Sequence, residues 1–128
     1  MKKLSDCELE IMLTIWKAHE PVKSSFVGEC MKDKRWAKTT ILNFLARLVD
    51  KGFLSCESQG KINTYTPIIR EDDYLRNKNE RYMERFYGSS VRNMVAELYQ
   101  HRLISDKDLD ELRVFIEEKA REEEARRG

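Results

Sequence analysis

Cysteines, histidines and long apolar runs are scarce in this sequence of 128 residues. The three cysteines, Cys7, Cys30 and Cys56, are far apart and none lies in a CxxC spacing, which argues against a disulfide framework and against a zinc site. No apolar run approaches the roughly 18 residues that cross a bilayer, and the N-terminus lacks the apolar segment of a signal peptide. We therefore expect a cytoplasmic protein with no metal site and no membrane insertion.

Catalytic constellations are missing as well. The two histidines, His19 and His101, have no partner at the spacing of a catalytic triad or a metal site. The sequence contains neither a glycine-rich phosphate loop nor a GxSxG motif. We therefore predict that the protein is not an enzyme and uses no cofactor.

Charge and apolar content are both ample, with 41% hydrophobic and 37% charged residues, as is typical of a soluble globular protein. Residues 1–70 carry 12 Lys and Arg against 8 Asp and Glu, a balance of +4. Residues 71–128 carry 12 against 15, a balance of −3. Contact with a polyanion, if there is one, is therefore expected in the first half.

The first half has the pattern of three helices followed by a hairpin. The predicted bounds are Ser5 to Ala18, Lys23 to Met31 and Lys38 to Lys51 for the helices, and Phe53 to Glu57 and Ile62 to Thr66 for the strands. Ser5 and Glu8 form an S-x-x-E capping box, Gly52 supplies a left-handed C-terminal residue, and Gln59-Gly60 is the predicted turn. Phe26, Val27 and Met31 are the predicted inward residues of the second helix.

The second half shows three helical patterns and no strand signal. The last helix begins with another capping pair, Ser105 and Asp108, and its charged end, EEKAREEEARRG, is expected to fray. So short a segment cannot build a substantial core, and a second copy could cover its apolar stripes. The predicted interface of this homodimer consists of Tyr74, Tyr82, Phe86, Val91, Met94, Val95, Leu98, Leu109, Leu112, Phe115 and Ile116.

The predicted fold class is therefore mostly α with a small β-wing. A winged helix-turn-helix domain in residues 1–70 precedes a three-helix dimerisation domain in residues 71–128.

Polar side chains on the outer face of the third helix predict contact with DNA bases. Thr39, Thr40, Asn43 and Arg47 share one surface, and these residue types suit adenine, guanine and the thymine methyl group. An ordinary solvated helix face is the alternative. The cations expected to contact phosphate are Lys23, Lys34, Arg35, Lys38 and Lys61.

Two other classes of protein stay open at this point. A winged helix can bind a protein partner through its third helix, although exposed Leu or Phe would then be expected on that face. The three cysteines could instead serve a thiol- or metal-responsive regulator.

The sequence resembles the penicillinase repressor family, the BlaI/MecI-type winged-helix regulators, from Leu4 to about Lys119. The matching stretches are LSDCELEIMLTIWK, TTILNFLARLVDKGFL, the wing ending YTP, DDYLRNKNERYMERFYG, NMV and LDELRVFIEEK. The resemblance implies a homodimeric repressor that binds an inverted-repeat operator and controls antibiotic-resistance genes. By position, Thr40, Asn43 and Arg47 would face bases, whereas Thr39 stands where better-known members have lysine.

The resemblance also bears on how the repressor is released. In that family, a membrane sensor-protease that responds to β-lactam commonly leads to cleavage between Asn and Phe in the middle helix of the dimerisation domain. The matching positions here are Glu97 and Leu98, which depart from that pair. The C-terminal cysteine cluster of the copper-responsive branch is absent, so copper sensing is not expected.

Overall fold

The computed structural model describes all 128 residues, which divide into two compact units, Met1–Asn77 and Lys78–Gly128. The helices are α1 (Asp6–Ala18), α2 (Ser24–Cys30), α3 (Lys38–Asp50), α4 (Glu71–Tyr87), α5 (Val91–Gln100) and α6 (Asp106–Arg127), and the strands are β1 (Val22–Lys23), β2 (Leu54–Gln59) and β3 (Ile62–Pro67). This mostly helical fold with a small sheet is the predicted class. None of the helices combines the length and the apolar character that crossing a membrane requires.

Local signals set the ends of the two long helices of the first unit. The Ser5 hydroxyl accepts from the Glu8 N–H and the Glu8 carboxylate accepts from the Ser5 N–H, so the predicted capping box is present. After α3, the N–H groups of Gly52 and Phe53 donate to the carbonyls of Val49 and Leu48. Gly52 adopts φ +81°, which a residue with a Cβ rarely takes, and the predicted C-terminal stop is confirmed.

The sheet is antiparallel in the order β1-β3-β2, so the third strand in the sequence lies in the middle. We call the β2–β3 hairpin the wing; Gln59 pairs with Ile62 and the turn residues are Gly60 and Lys61. The predicted turn was one residue too early. The sequence did not predict β1, because two residues are too few to show alternation.

The core of the first unit forms where α1, α3 and the strands face each other. Ile11, Ile15, Leu45, Leu48 and Phe53 are essentially inaccessible to solvent. The indole N–H of Trp16 donates to the Ile69 carbonyl over 3.0 Å, which satisfies a polar group at the edge of this core.

The predicted inward face of α2 needs one correction. Val27 and Met31 are buried, but Phe26 remains 40% exposed. The helix is only seven residues long, and the side of it that packs on α1 and α3 carries Val27 rather than its neighbour.

Helices of the second unit have almost no core of their own. No residue after Tyr74 is buried, and α5 and α6 contain no buried side chain. The break between α4 and α5 comes at Gly88 and Ser89, both with positive φ. The capping box of Ser105 and Asp108 is present. The charged end was predicted to fray, but α6 continues to Arg127.

Candidate nucleic-acid interface

The outer face of α3 carries the predicted base-contacting residues. Thr39, Asn43 and Arg47 are exposed and Thr40 is half-buried at the margin of this face. Ile41, Leu45 and Leu48 are buried on the opposite side of the helix. The core therefore holds α3 by its apolar side and leaves three polar side chains in solvent, with Thr40 at the margin.

The start of α3 leaves hydrogen-bond donors free for an anion. Ala37 is the N-cap residue and offers no side-chain acceptor, so orphan N–H groups remain at this end. Lys38 is the first helical residue and is exposed. Arg35, also exposed, lies in the connection just before the helix, and its own backbone is in the left-handed region.

Three further lysines were predicted to contact phosphate, and in the structure two are exposed while the third is paired with a carboxylate. Lys23 lies at the end of β1 and is the N-cap residue of α2, and Lys61 lies in the turn of the wing; both are exposed. Lys34 already pairs with Glu10 over 3.2 Å. This hydrogen bond raises the pKa of Lys34, so a phosphate would have to compete with the carboxylate.

The wing is anchored at one end and exposed at its tip. Tyr65 is buried opposite Val22 of β1 and Cys56 of β2, and burial raises the pKa of its phenol. Near the tip, the Ser58 hydroxyl donates to the Asn63 side chain over 2.6 Å. A wing that is supported in this way can hold Lys61 at a defined position at the tip of the hairpin.

A partly buried ion pair connects the start of α1 to the end of α3. The Lys51 ammonium lies 2.7 Å from a carboxylate oxygen of Glu8 and also donates to the Lys3 carbonyl. Glu8 is 1% exposed, and its second oxygen has no hydrogen-bond partner. Burial would raise the pKa of Glu8, but the bonds from Lys51 and Ser5 outweigh it and hold that pKa below 4.5. No sequence pattern pointed to this pair.

The predicted dimer-interface residues fall into two groups. Tyr74 is buried in the core of the first unit, with its ring centroid 5.5 Å from that of Trp16 and 5.8 Å from that of Phe53. These contacts leave little of the Tyr74 side chain exposed to a second copy, and we remove Tyr74 from the predicted interface. The others are exposed (Tyr82, Phe86, Val91, Phe115 and Ile116) or half-buried (Met94, Val95, Leu98, Leu109 and Leu112).

Metal-binding side chains do not come together in this fold. No group of three or more His, Cys, Asp or Glu residues is arranged to hold a metal ion. The three cysteines are free thiols, with Cys30 and Cys56 exposed and Cys7 half-buried.

Three helices, a small sheet with an antiparallel wing and an exposed polar third helix define a winged-helix protein. The family model described as "Penicillinase repressor" matches residues 4–118. The chain therefore belongs to the penicillinase repressor family, as the sequence predicted, and this is a family of transcriptional repressors rather than enzymes.

Individual relatives agree with this assignment. The chain is 35% identical over 121 residues to the penicillinase repressor of Bacillus licheniformis, covering 92% of this chain and 94% of that one. It is 24% identical over 117 residues to the methicillin resistance regulatory protein MecI of Staphylococcus aureus, covering 91% and 95%. The solution structure of the DNA-binding domain of the repressor BlaI is similar with 42% identity and a TM-score of 0.50, covering 58% of this chain and 94% of that one.

Proposed function

We propose that this protein is a homodimeric transcriptional repressor that binds double-stranded operator DNA through α3 and the wing. The observation that carries the proposal is the outer face of α3, where Thr39, Asn43 and Arg47 are solvated while the opposite side is held in the core. A helix of this kind, followed by a supported hairpin, fits the major groove with the hairpin beside it. The similarity to the DNA-binding domain of BlaI supports the same role.

Within this proposal the residues divide into two roles. Thr40, Asn43 and Arg47 contact base edges, with Thr39 as a fourth contact at the start of the helix. Lys23, Arg35, Lys38 and Lys61 contact phosphates, and Lys34 does so only after it leaves Glu10. Because the partner is promoter DNA, we place the protein in the cytoplasm.

The homodimer is proposed from the second unit. Residues 78–128 bury none of their own side chains, yet Tyr82, Phe86, Val91, Phe115 and Ile116 are 52–62% exposed. Apolar surface of this extent is unfavourable in water, and a second copy with the same stripes would cover it through a two-fold interface. Two copies would then place two α3 helices on half-sites about one or two helical turns apart, roughly 10 bp per turn.

The base contacts can be tested on a duplex that the protein itself selects. The wild-type chain would first enrich a duplex from a random-sequence library, and that duplex is the probe. Arg47→Ala should weaken its binding by about 1–3 kcal/mol and relax preference at one base pair. The matched control is Arg76→Ala, which removes an exposed arginine of α4 that pairs with Asp73. Equal affinities of Arg47→Ala and wild type would refute the base contact.

Sedimentation velocity tests the dimer. Leu112→Asp places a charge in the apolar stripe of α6 without a partner, and we expect it to shift the protein to monomer at micromolar concentration. Arg121→Asp introduces the same side chain nine residues further along the exposed part of α6 and should leave the dimer intact. A Leu112→Asp protein that sediments like wild type would contradict the proposed interface.

Release by a membrane sensor-protease would act on α5. The family position for cleavage corresponds to Glu97–Leu98, where the Glu97 carbonyl accepts from the His101 N–H and its carboxylate lies 2.8 Å from the His101 ring. Cutting there requires local unfolding of the helix. An immunoblot of cells treated with β-lactam tests this route: a fragment that ends near Glu97 would support it although Glu97–Leu98 departs from the Asn–Phe pair, and an intact chain during derepression would exclude it.

A further inference from the structure

Arg47 is the only charged residue among the proposed base contacts, and its guanidinium lies over an aromatic ring. Its guanidinium carbon lies 5.7 Å from the centroid of the Phe44 ring, within the range of a cation–π contact. The ion pairs of the chain all involve other residues, so no carboxylate holds or neutralises this guanidinium.

A second aromatic ring supports the first. The Phe44 ring centroid lies 5.2 Å from that of Trp36, at an interplanar angle of 54°. Both rings are half-buried and pack against the hydrophobic core of the first unit. We call Trp36 and Phe44 the aromatic pair; one side of it is held by the core and the other faces Arg47.

The aromatic pair lies along one edge of the proposed DNA-binding face. Phe44 follows Asn43 directly in the sequence and lies three residues before Arg47, and side chains three residues apart are neighbours on a helix. Trp36 comes just before α3, so its contact with Phe44 also ties the entry of the helix to its middle. The aromatic pair is therefore placed to influence the direction in which the Arg47 side chain extends from the helix.

We propose that Phe44, supported by Trp36, is a positioning residue that holds the Arg47 guanidinium ready for its base and thereby sharpens sequence preference. This inference rests on the proposed function, since it needs Arg47 to contact a base. A free arginine has many rotamers, and ordering it on binding is unfavourable. A ring beneath the guanidinium restricts those rotamers before DNA arrives, and it leaves the edge donors free for a bidentate contact with guanine.

A double-mutant cycle separates this role from simple packing. The four proteins are wild type, Phe44→Leu, Arg47→Ala and the double variant, and the probe is the duplex that the wild type enriched from a random library. Leucine keeps an apolar side chain at position 44 but removes the ring. We expect Phe44→Leu to weaken binding to this duplex about two- to fivefold, as expected for losing an exposed cation–π contact. In the Arg47→Ala background the same change should have no effect.

Three additional measurements distinguish positioning from loss of structure. Binding to a scrambled duplex of the same composition should be unchanged in Phe44→Leu, because phosphate contacts do not depend on the Arg47 rotamer. Phe44→Tyr keeps the ring and should restore wild-type preference. Val49→Ala trims another half-buried side chain of α3, on which no cation rests, and should not alter preference between the two duplexes.

The outcomes are separable. If Phe44→Leu weakens binding as much in the Arg47→Ala background as in wild type, or lowers binding to both duplexes equally, Phe44 does not act through Arg47 and the inference is wrong. If Arg47→Ala alone leaves binding unchanged, the proposed base contact fails and the inference fails with it. Coupling between the two positions together with rescue by Phe44→Tyr supports the positioning role.

Discussion

The ion pair between Glu8 and Lys51 allows a quantitative test of what holds α3 in place. Lys51→Met removes the ammonium but keeps an unbranched apolar stem of similar length. The Glu8 carboxylate, 1% exposed and with one oxygen already unsatisfied, would then lose the cation 2.7 Å away. A buried charge without a counter-ion, held only by the Ser5 N–H, is the expected result.

The burial of the two side chains sets the size of the effect. Removing one partner of a fully buried pair costs about 3–5 kcal/mol. The Lys51 side chain is 27% exposed, so water can reach part of the site and the cost should be smaller. We expect a loss of about 2–3 kcal/mol in the free energy of unfolding of the first unit. At about 4–8 °C per kcal/mol for a domain of this size, the melting temperature should fall by about 8–24 °C.

Urea unfolding followed by tryptophan fluorescence measures this loss, because Trp16 and Trp36 both lie in the first unit. The matched control is Lys34→Met, which breaks the pair between Lys34 and Glu10. Their side chains are 39% and 43% exposed, so the loss of stability should be much smaller than for Lys51→Met.

Glu8→Gln combined with Lys51→Met should recover part of the stability, since the unpaired charge is gone. Equal urea midpoints for Lys51→Met and Lys34→Met would refute the stabilising role of the Glu8–Lys51 pair. A double variant no more stable than Lys51→Met would refute it as well.

Two other predictions concern acid stability and glycine. Since the pKa of Glu8 is lowered in the folded state, its contribution is fully present above pH 4.5 and is lost as the pH falls through the folded pKa; wild type should therefore lose more stability than Glu8→Gln between pH 5 and pH 3. Gly28→Ala should raise the free energy of unfolding by about 0.5–1 kcal/mol, because alanine favours a helix more than glycine does. The new Cβ in α2 would lie 3.5 Å from Ile41 Cδ1 of α3, an ordinary contact. Gly52→Ala should lower it by roughly 1–2 kcal/mol through the left-handed backbone alone, since nothing lies within 4 Å of its Cβ. Chemical denaturation of the two glycine variants with changes of the same sign would contradict this contrast.

Much of the first unit could be predicted from local patterns. The capping box at Ser5, the stop at Gly52 and the period of Ile41, Leu45 and Leu48 each depend on residues within a few positions of one another. Those patterns also identified the outer face of α3, because a helix that buries one side exposes the other.

Features that join distant segments were not predictable in the same way. β1 exists because Val22 and Lys23 pair with Tyr65 and Thr64, far along the chain. Tyr74 fits the apolar stripe of α4 as well as its neighbours do, but Trp16 and Phe53 draw it into the core of the first unit.

The amino-acid sequence alone specifies the family, the order of the helices and the wing, and the residue types that α3 offers to DNA. These follow from short-range periodicity, capping and turn chemistry, which are local properties of the chain. Tertiary packing, by contrast, brings Glu8 to Lys51, engages Lys34 with Glu10, and sets Arg47 on a Phe44 ring backed by Trp36. Apart from the three-residue step from Phe44 to Arg47, those contacts depend on how separate segments pack, which no local pattern in the sequence specifies.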